Sequence, residues 1–165
     1  MRLSARALLL LCAPIALVTA ACQGTPGVLA GDAYLAVDLG REVNLANLPV
    51  HLVPEIEEFD STLARICPTR GAESMAGATP AALEQAWRER TRLLTDLIQQ
   101  TATTDANASF VFDSVPPGRY RLWADTLVEG TRWVWLEPVR IGSGDTVRLN
   151  LSNANPDENP FRCEL

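Results

Sequence analysis

From Ser109 onward the chain alternates apolar and polar residues: Phe110 and Phe112, then Tyr120, Leu122 and Ala124, then Val139 and Ile141, then Val147, Leu149 and Leu151. Successive side chains of a strand point to opposite faces, so this period gives each segment one face for a core. Turn-forming residues separate the segments: Asp105-Ala106-Asn107-Ala108, Val115-Pro116-Pro117-Gly118, Glu129-Gly130 and Gly142-Ser143-Gly144-Asp145. Short strands at regular spacing predict two packed sheets, a mainly β sandwich. Upstream, Ala33, Leu35, Val37 and Leu39 alternate with Tyr34, Ala36 and Asp38. A further strand over 48–53 points Val50 and Leu52 inward and His51 outward, and Pro54 closes it.

Between these strands the period changes. Ile56, Phe59, Leu63 and Ile66 recur at three and four residues, which predicts an amphipathic helix over 55–67. A loop rich in small residues follows. Thr79 then offers an N-cap with Pro80 at the first helical position, and Leu83, Trp87, Leu94, Leu97 and Ile98 make the stripe of a second helix to about residue 100. Arg88, Arg90 and Arg92 could face Glu55, Glu57, Glu58 and Asp60, giving an inserted α-helical hairpin over 55–101 with complementary charge.

One stretch carries a resemblance. Thr104-Asp105-Ala106-Asn107-Ala108-Ser109-Phe110-Val111-Phe112, followed by Val115-Pro116-Pro117-Gly118-Arg119-Tyr120-Arg121-Leu122, resembles the carboxypeptidase regulatory-like domains. Val139-x-Ile141 and Val147-x-Leu149-x-Leu151 are similar to that family's last strands, and 32–53 to its first hairpin. The resemblance implies a transthyretin-like (prealbumin-like) seven-stranded β-sandwich and no particular activity. Ala108-Ser109 stands where the family has Gly, and the helical hairpin lies outside the basic module.

The N-terminus is read separately. Arg2 and Arg6 precede an uncharged run from Ala7 to Ala21. Fifteen helical residues would span about 22 Å, short of the roughly 30 Å hydrocarbon core, so the run reads as a cleaved signal peptide. Val18-Thr19-Ala20-Ala21-Cys22 resembles the lipobox of bacterial lipoproteins, with Thr19 in place of the commoner Leu. The resemblance implies acylation of Cys22, which would anchor the mature chain in a lipid bilayer. A plain secretory signal with a coincidental Cys is one alternative, and an uncleaved membrane anchor, disfavoured by the short run, is another. Gln23, not Asp, follows, and implies an outer-membrane address where the organism has one. The expected organisation is a signal peptide over 1–21, a lipidated tether over 22–31, a sandwich over 32–151 and a tail over 152–165.

Removing 21 of the 165 residues leaves 144, enough for one domain, and shifts the formal charge from −6 to −8 by taking away two arginines. An acidic chain is a poor match for nucleic acid or anionic lipid as partner. There is no lysine, so Schiff-base, phosphate-loop and isopeptide chemistry through lysine are excluded. Once Cys12 leaves with the signal peptide and Cys22 is acylated, Cys67 and Cys163 remain, and two thiols in an exported chain most often pair. Two unpaired thiols are the alternative, and metal binding by only two cysteines and one histidine fits less well still.

The candidate sites are few. Trp133 and Trp135 share one face of a strand, with Val134 and Leu136 on the other. Exposed, the two indoles would form a platform for sugar rings or a partner protein. Covered by the helical hairpin, they would form a second small core; this arrangement is favoured, because the hairpin needs apolar surface. Trp123 is open to the same two readings. Asp105-x-Asn107-x-Ser109 is read as a turn, lacking the Gly and distal Glu of a calcium loop. Asn153, Asn155, Asp157 and Glu158 could offer oxygen ligands but read as a solvated tail. His51 is the only histidine, and no GxSxG or zinc motif accompanies it. The expectation is a non-catalytic envelope lipoprotein without a cofactor that binds a protein partner or serves structurally. The rival is a carbohydrate-binding module, and a hydrolase is the third class.

Overall fold

A computed structural model describes residues 24–37, 40–67, 78–157 and 160–161. Nine strands and two helices follow in chain order: β1 (Gly27–Asp32), β2 (Tyr34–Val37), β3 (Arg41–Asn44), β4 (Pro49–Pro54), α1 (Phe59–Ala64), α2 (Pro80–Asp96), β5 (Gln100–Thr103), β6 (Ser109–Val115), β7 (Gly118–Val128), β8 (Thr131–Ile141) and β9 (Thr146–Arg148). One sheet has the order β6-β1-β9 and the other β5-β4-β7-β8, with β2-β3 as a separate small ladder. The molecule is a mainly β sandwich with a helical insertion between β4 and β5. Among the described residues, β1, β3 and β5 arise in segments whose patterns are too short or too rich in small residues to register in the sequence.

The alternating residues fill the space between the sheets. Leu29, Val50, Leu52, Phe110, Phe112, Leu122, Ala124, Trp135, Ile141 and Leu151 are all buried in one core. Phe110 and Phe112 meet edge to face with centroids 6.0 Å apart. The Tyr120 hydroxyl donates to the Pro116 carbonyl at 2.7 Å and locks the β6–β7 turn. Glu129 and Gly130, both at positive φ, form the tight turn of the β7–β8 hairpin. Asp105 Oδ1 accepts from the backbone amides of Asn107 and Ser109, so this segment is a turn, as its residues suggest.

Four expectations are corrected. Residues 27–31 are not tether: they form most of β1, which pairs with both β6 and β9. The sandwich therefore includes β1, and 32–53 is not one hairpin, since β2 pairs with β3 while β4 pairs with β5 and β7. Both helices are shorter than their apolar periods. Glu58 adopts a left-handed φ of 64° that delays α1 to Phe59, and α2 ends at Asp96 so that β5 can join β4. Thr79 does cap α2, its side chain accepting from the Ala82 amide at 3.2 Å. The expected charge pairing between helices is absent among the described residues. Arg88 pairs with Glu84 and Arg92 with Asp96 along α2, Arg90 is buried, and Glu55 and Asp60 bind Arg121 of β7 instead.

The tail is also more ordered than its composition suggests. Asp157 N donates to Val134 O at 2.7 Å, Asn153 pairs with the backbone of Ala36, and Phe161 is buried. Glu158, Cys163 and Cys22, with the whole signal segment, lie outside the described residues.

Candidate ligand-binding cleft

The outer face of β4, β7 and β8 carries a second core. Val53, Trp123 and Leu136 from the sheet meet Phe59 and Leu63 of α1 and Leu94 of α2. The hairpin thus finds apolar surface, but not on the residues proposed for it. Trp135 is fully buried in the main core, where its Nε1 donates to the Ser152 carbonyl at 2.9 Å. Trp133 is half-buried and packs against that same core. Trp135 thus meets neither solvent nor the helices, while Trp133, half-buried against the main core, also lines a cleft beside Trp87, and Leu136 and Trp123 face the helices. Both faces of β8 are buried here, so alternation alone could not say which face met which core.

Trp87 organises the described surface at the far end of this second core. It lies on α2, half-buried, with the Arg132 guanidinium 4.5 Å from its ring centroid and that of Arg90 at 5.2 Å. Phe161 of the tail meets it edge-on at 6.0 Å. Arg90 is fully buried, and its Nε donates to the Pro160 carbonyl at 2.5 Å, tying the tail to α2. Trp87 was legible as part of a helical stripe, but its junction with the tail was not, because no local pattern links positions 87, 132 and 161.

Two clefts open on either side of this junction. One, of about 360 Å³, is walled by Pro80, Leu83, Glu84, Trp87, Arg132 and Phe161. The other, of about 380 Å³, runs between Trp87, Arg132, Trp133 and the tail residues Pro156, Asp157 and Pro160. Apolar side chains make most of the first wall, with Arg132 as its cation, partnered at 3.6 Å by Asp125. Asp157, considered above as an oxygen ligand, lines the second cleft. Asn153 and Asn155 are taken up by hydrogen bonds within the tail and to Ala36.

His51 sits on the outer face of β4, its ring 4.9 Å from that of Trp123 and its Nδ1 2.9 Å from Thr101 Oγ1. Partial burial lowers its pKa below the ordinary histidine value, and the Asp125 carboxylate opposes that shift. Its hydrogen-bond partner is a threonine, and its neighbour an indole. A further cleft of about 490 Å³ lies along 55–61 and Arg119, where the Glu55 carboxylate bridges Arg119 and Arg121 at 2.7 and 2.9 Å. No group of three or more His, Cys, Asp or Glu residues among those described could hold a metal ion. No described helix is long and apolar enough to cross a membrane.

No known protein family matches the sequence, and no curated protein does. Among solved structures, one from Pseudomonas aeruginosa, described as a candidate carbohydrate-binding protein, aligns at 19% identity over 79% of this chain and 90% of its own, with a TM-score of 0.47. The major pilin subunit of Bacillus cereus aligns at 15% identity over 81% of this chain, with a TM-score of 0.39. A minor pilin of Streptococcus agalactiae aligns at 12% identity over 78%, with a TM-score of 0.40. The alignments span only 30% and 44% of those two pilins. At this distance the likeness concerns the sandwich and says nothing of ligand.

Proposed function

We propose that the chain is a non-catalytic, membrane-anchored envelope lipoprotein whose sandwich docks a protein partner through the Trp87–Arg132 cleft. The observation that carries this reading is the make-up of the cleft: Pro80, Leu83, Trp87 and Phe161 line it with Arg132, and its one carboxylate, Glu84, is paired with Arg88. Aromatic residues and arginine, packed at the centre of an apolar patch, are the types that dominate interface energetics. The exposed Leu127 lies directly across the β7–β8 ladder from Arg132 and extends the apolar surface. A sugar-stacking platform fits less well. Trp135 has no exposed face, and a guanidinium already lies against the ring of Trp87. The anchor rests on Arg2, Arg6, the short apolar run and Val18-Thr19-Ala20-Ala21-Cys22, and gives an exported chain, held in the outer membrane where the cell has one.

A photo-crosslinking residue at Leu83, compared with one at the exposed Val111 of β6, tests the docking reading in the living envelope. The expected result is one discrete protein adduct from Leu83 that is absent from Val111. Arg132→Ala should weaken it by about thirtyfold, as for an interface hot spot of about 2 kcal/mol. Indistinguishable adducts from the two positions would overturn the reading. So would saturable quenching of tryptophan fluorescence by a cell-wall polysaccharide that disappears in Trp87→Ala; that result would hand the cleft to carbohydrate.

A further inference from the structure

We propose that the end of the sandwich carrying Pro117, Arg119, Arg140 and Ser143 stands on phospholipid headgroups, so that the Trp87–Arg132 cleft faces away from the bilayer. The proposal rests on acylation of Cys22. Its geometric basis is the point at which the chain first joins the domain. Gly24 lies against the two turns at this end: a Cβ built on it would fall 2.9 Å from Ser143 Oγ and 3.2 Å from Pro117 Cγ. The Gly144 amide donates to the Thr25 carbonyl at 2.8 Å, and the Val28 amide to Asp145 O at 2.8 Å. The backbone is thus tied to the 142–145 turn from Thr25 onward. Cys22 precedes Gly24 by two residues, a reach of at most about 7 Å. The headgroup layer is itself several ångströms deep, so acyl chains leaving Cys22 bring both turns to it.

The side chains at this end fit that contact. Arg119 and Arg140 are direct cross-strand partners of β7 and β8. Like charges placed opposite one another destabilise a sheet, and here they occur in a chain whose net charge is acidic. Glu55 neutralises Arg119 at 2.7 Å, whereas Arg140 is exposed and makes no ion pair among the described residues. Of the nearby carboxylates, Asp145 accepts from the Gly142 amide at 3.0 Å, Glu55 is shared between two arginines and Asp60 pairs with Arg121, while Glu57 and Glu58 line the cleft beside Arg119 on the side away from its partner strand β8. Arg140 is therefore presented where the anchor places headgroup phosphates. From Arg140 back to Arg132, β8 runs eight residues, about 26 Å of strand. That distance lifts the cleft clear of the lipid.

The test places a benzophenone amino acid at Ser143, or at the exposed Leu127 near the opposite end. The acylated full-length protein is then reconstituted into vesicles of phosphatidylethanolamine and phosphatidylglycerol. Irradiation should give phospholipid adducts at Ser143, several-fold more than at Leu127, and Arg140→Glu should lower the Ser143 yield several-fold without releasing the protein. Equal yields at the two positions, or a higher yield at Leu127, would overturn the orientation while leaving the anchor intact. An Arg140→Glu yield unchanged at Ser143 would overturn the headgroup contact of Arg140. A wild-type chain that fails to partition with vesicles any better than Cys22→Ser would overturn the anchor and the orientation with it.

Discussion

Gly31 shows how one missing Cβ fixes the start of the domain. A Cβ there would fall 1.9 Å from the Leu149 carbonyl oxygen and 2.7 Å from the Phe110 ring, because β1 lies between neighbours that close over it on both sides. Leu149 N donates to Ala30 O at 3.0 Å, so the obstructing carbonyl cannot retreat without breaking the ladder. In the sequence, Gly27-Val28-Leu29-Ala30-Gly31 looks like a tether, since small residues signal flexibility when nothing else is known. Their smallness here serves close approach, which is a tertiary property. Gly31→Ala should therefore destabilise the fold by about 3 kcal/mol, at the upper end of overpacking costs. Denaturant midpoints of the mature chain, at unchanged slope, would measure it. A change below about 0.5 kcal/mol would show that β1 is not held as described. Trp133 and Trp135 teach the same point: their shared face was legible from spacing, but the identity of that face was not, because β8 is covered on both sides.

At the scale of elements, the strands were easier to read than the insertion. Phe110-x-Phe112, Tyr120-x-Leu122 and Val139-x-Ile141 are strands with one face in the main core, where period two is a strong signal. The helices obey a weaker one. Ile56 fits the stripe of α1 yet is exposed, since the left-handed Glu58 ends the upstream segment before helix begins. Arg90 looks like a solvent-facing residue and is instead buried, held by a backbone carbonyl 70 positions downstream, a contact that no local window contains. What joins the helices to the sandwich is the second core, with Leu94 and Leu63 fully buried at its centre. Leu94→Ala removes one of these without touching the space between the sheets. The expected cost is about 3 kcal/mol, in the range for a buried Leu replaced by Ala. Far-ultraviolet dichroism should lose helical signal before strand signal on heating this variant. A cost below about 1 kcal/mol with a single concerted transition would mean that the helices contribute little to the packing.

For the molecule as a whole, the arrangement of α2 bears on a pairing proposed from the thiol count alone. Cys67 follows α1 and lines a groove with Ala82, Gln85, Ala86 and Glu89 on α2. Phe161 packs against Trp87 on that same helix, and Pro160 accepts from Arg90. The end of α1 and the start of the tail's last residues thus meet one short stretch of helix. Cys163 lies two residues past Phe161, a reach of at most about 7 Å. A Cys67–Cys163 bridge would close a loop of about 97 residues and restrict the unfolded chain by about 4–5 kcal/mol on the entropy account. It would also fasten the wall of the cleft that Phe161 provides, so reduction should loosen the proposed docking surface before it unfolds the sandwich. Exported protein alkylated without reductant should keep both thiols unmodified and gain two labels after reduction. Reduced protein should then show increased protease cleavage of the tail and weaker crosslinking from Leu83, with the strand signal intact. Two alkylatable thiols in the unreduced protein would remove the bridge, leaving Arg90 and Phe161 as the contacts that hold the tail.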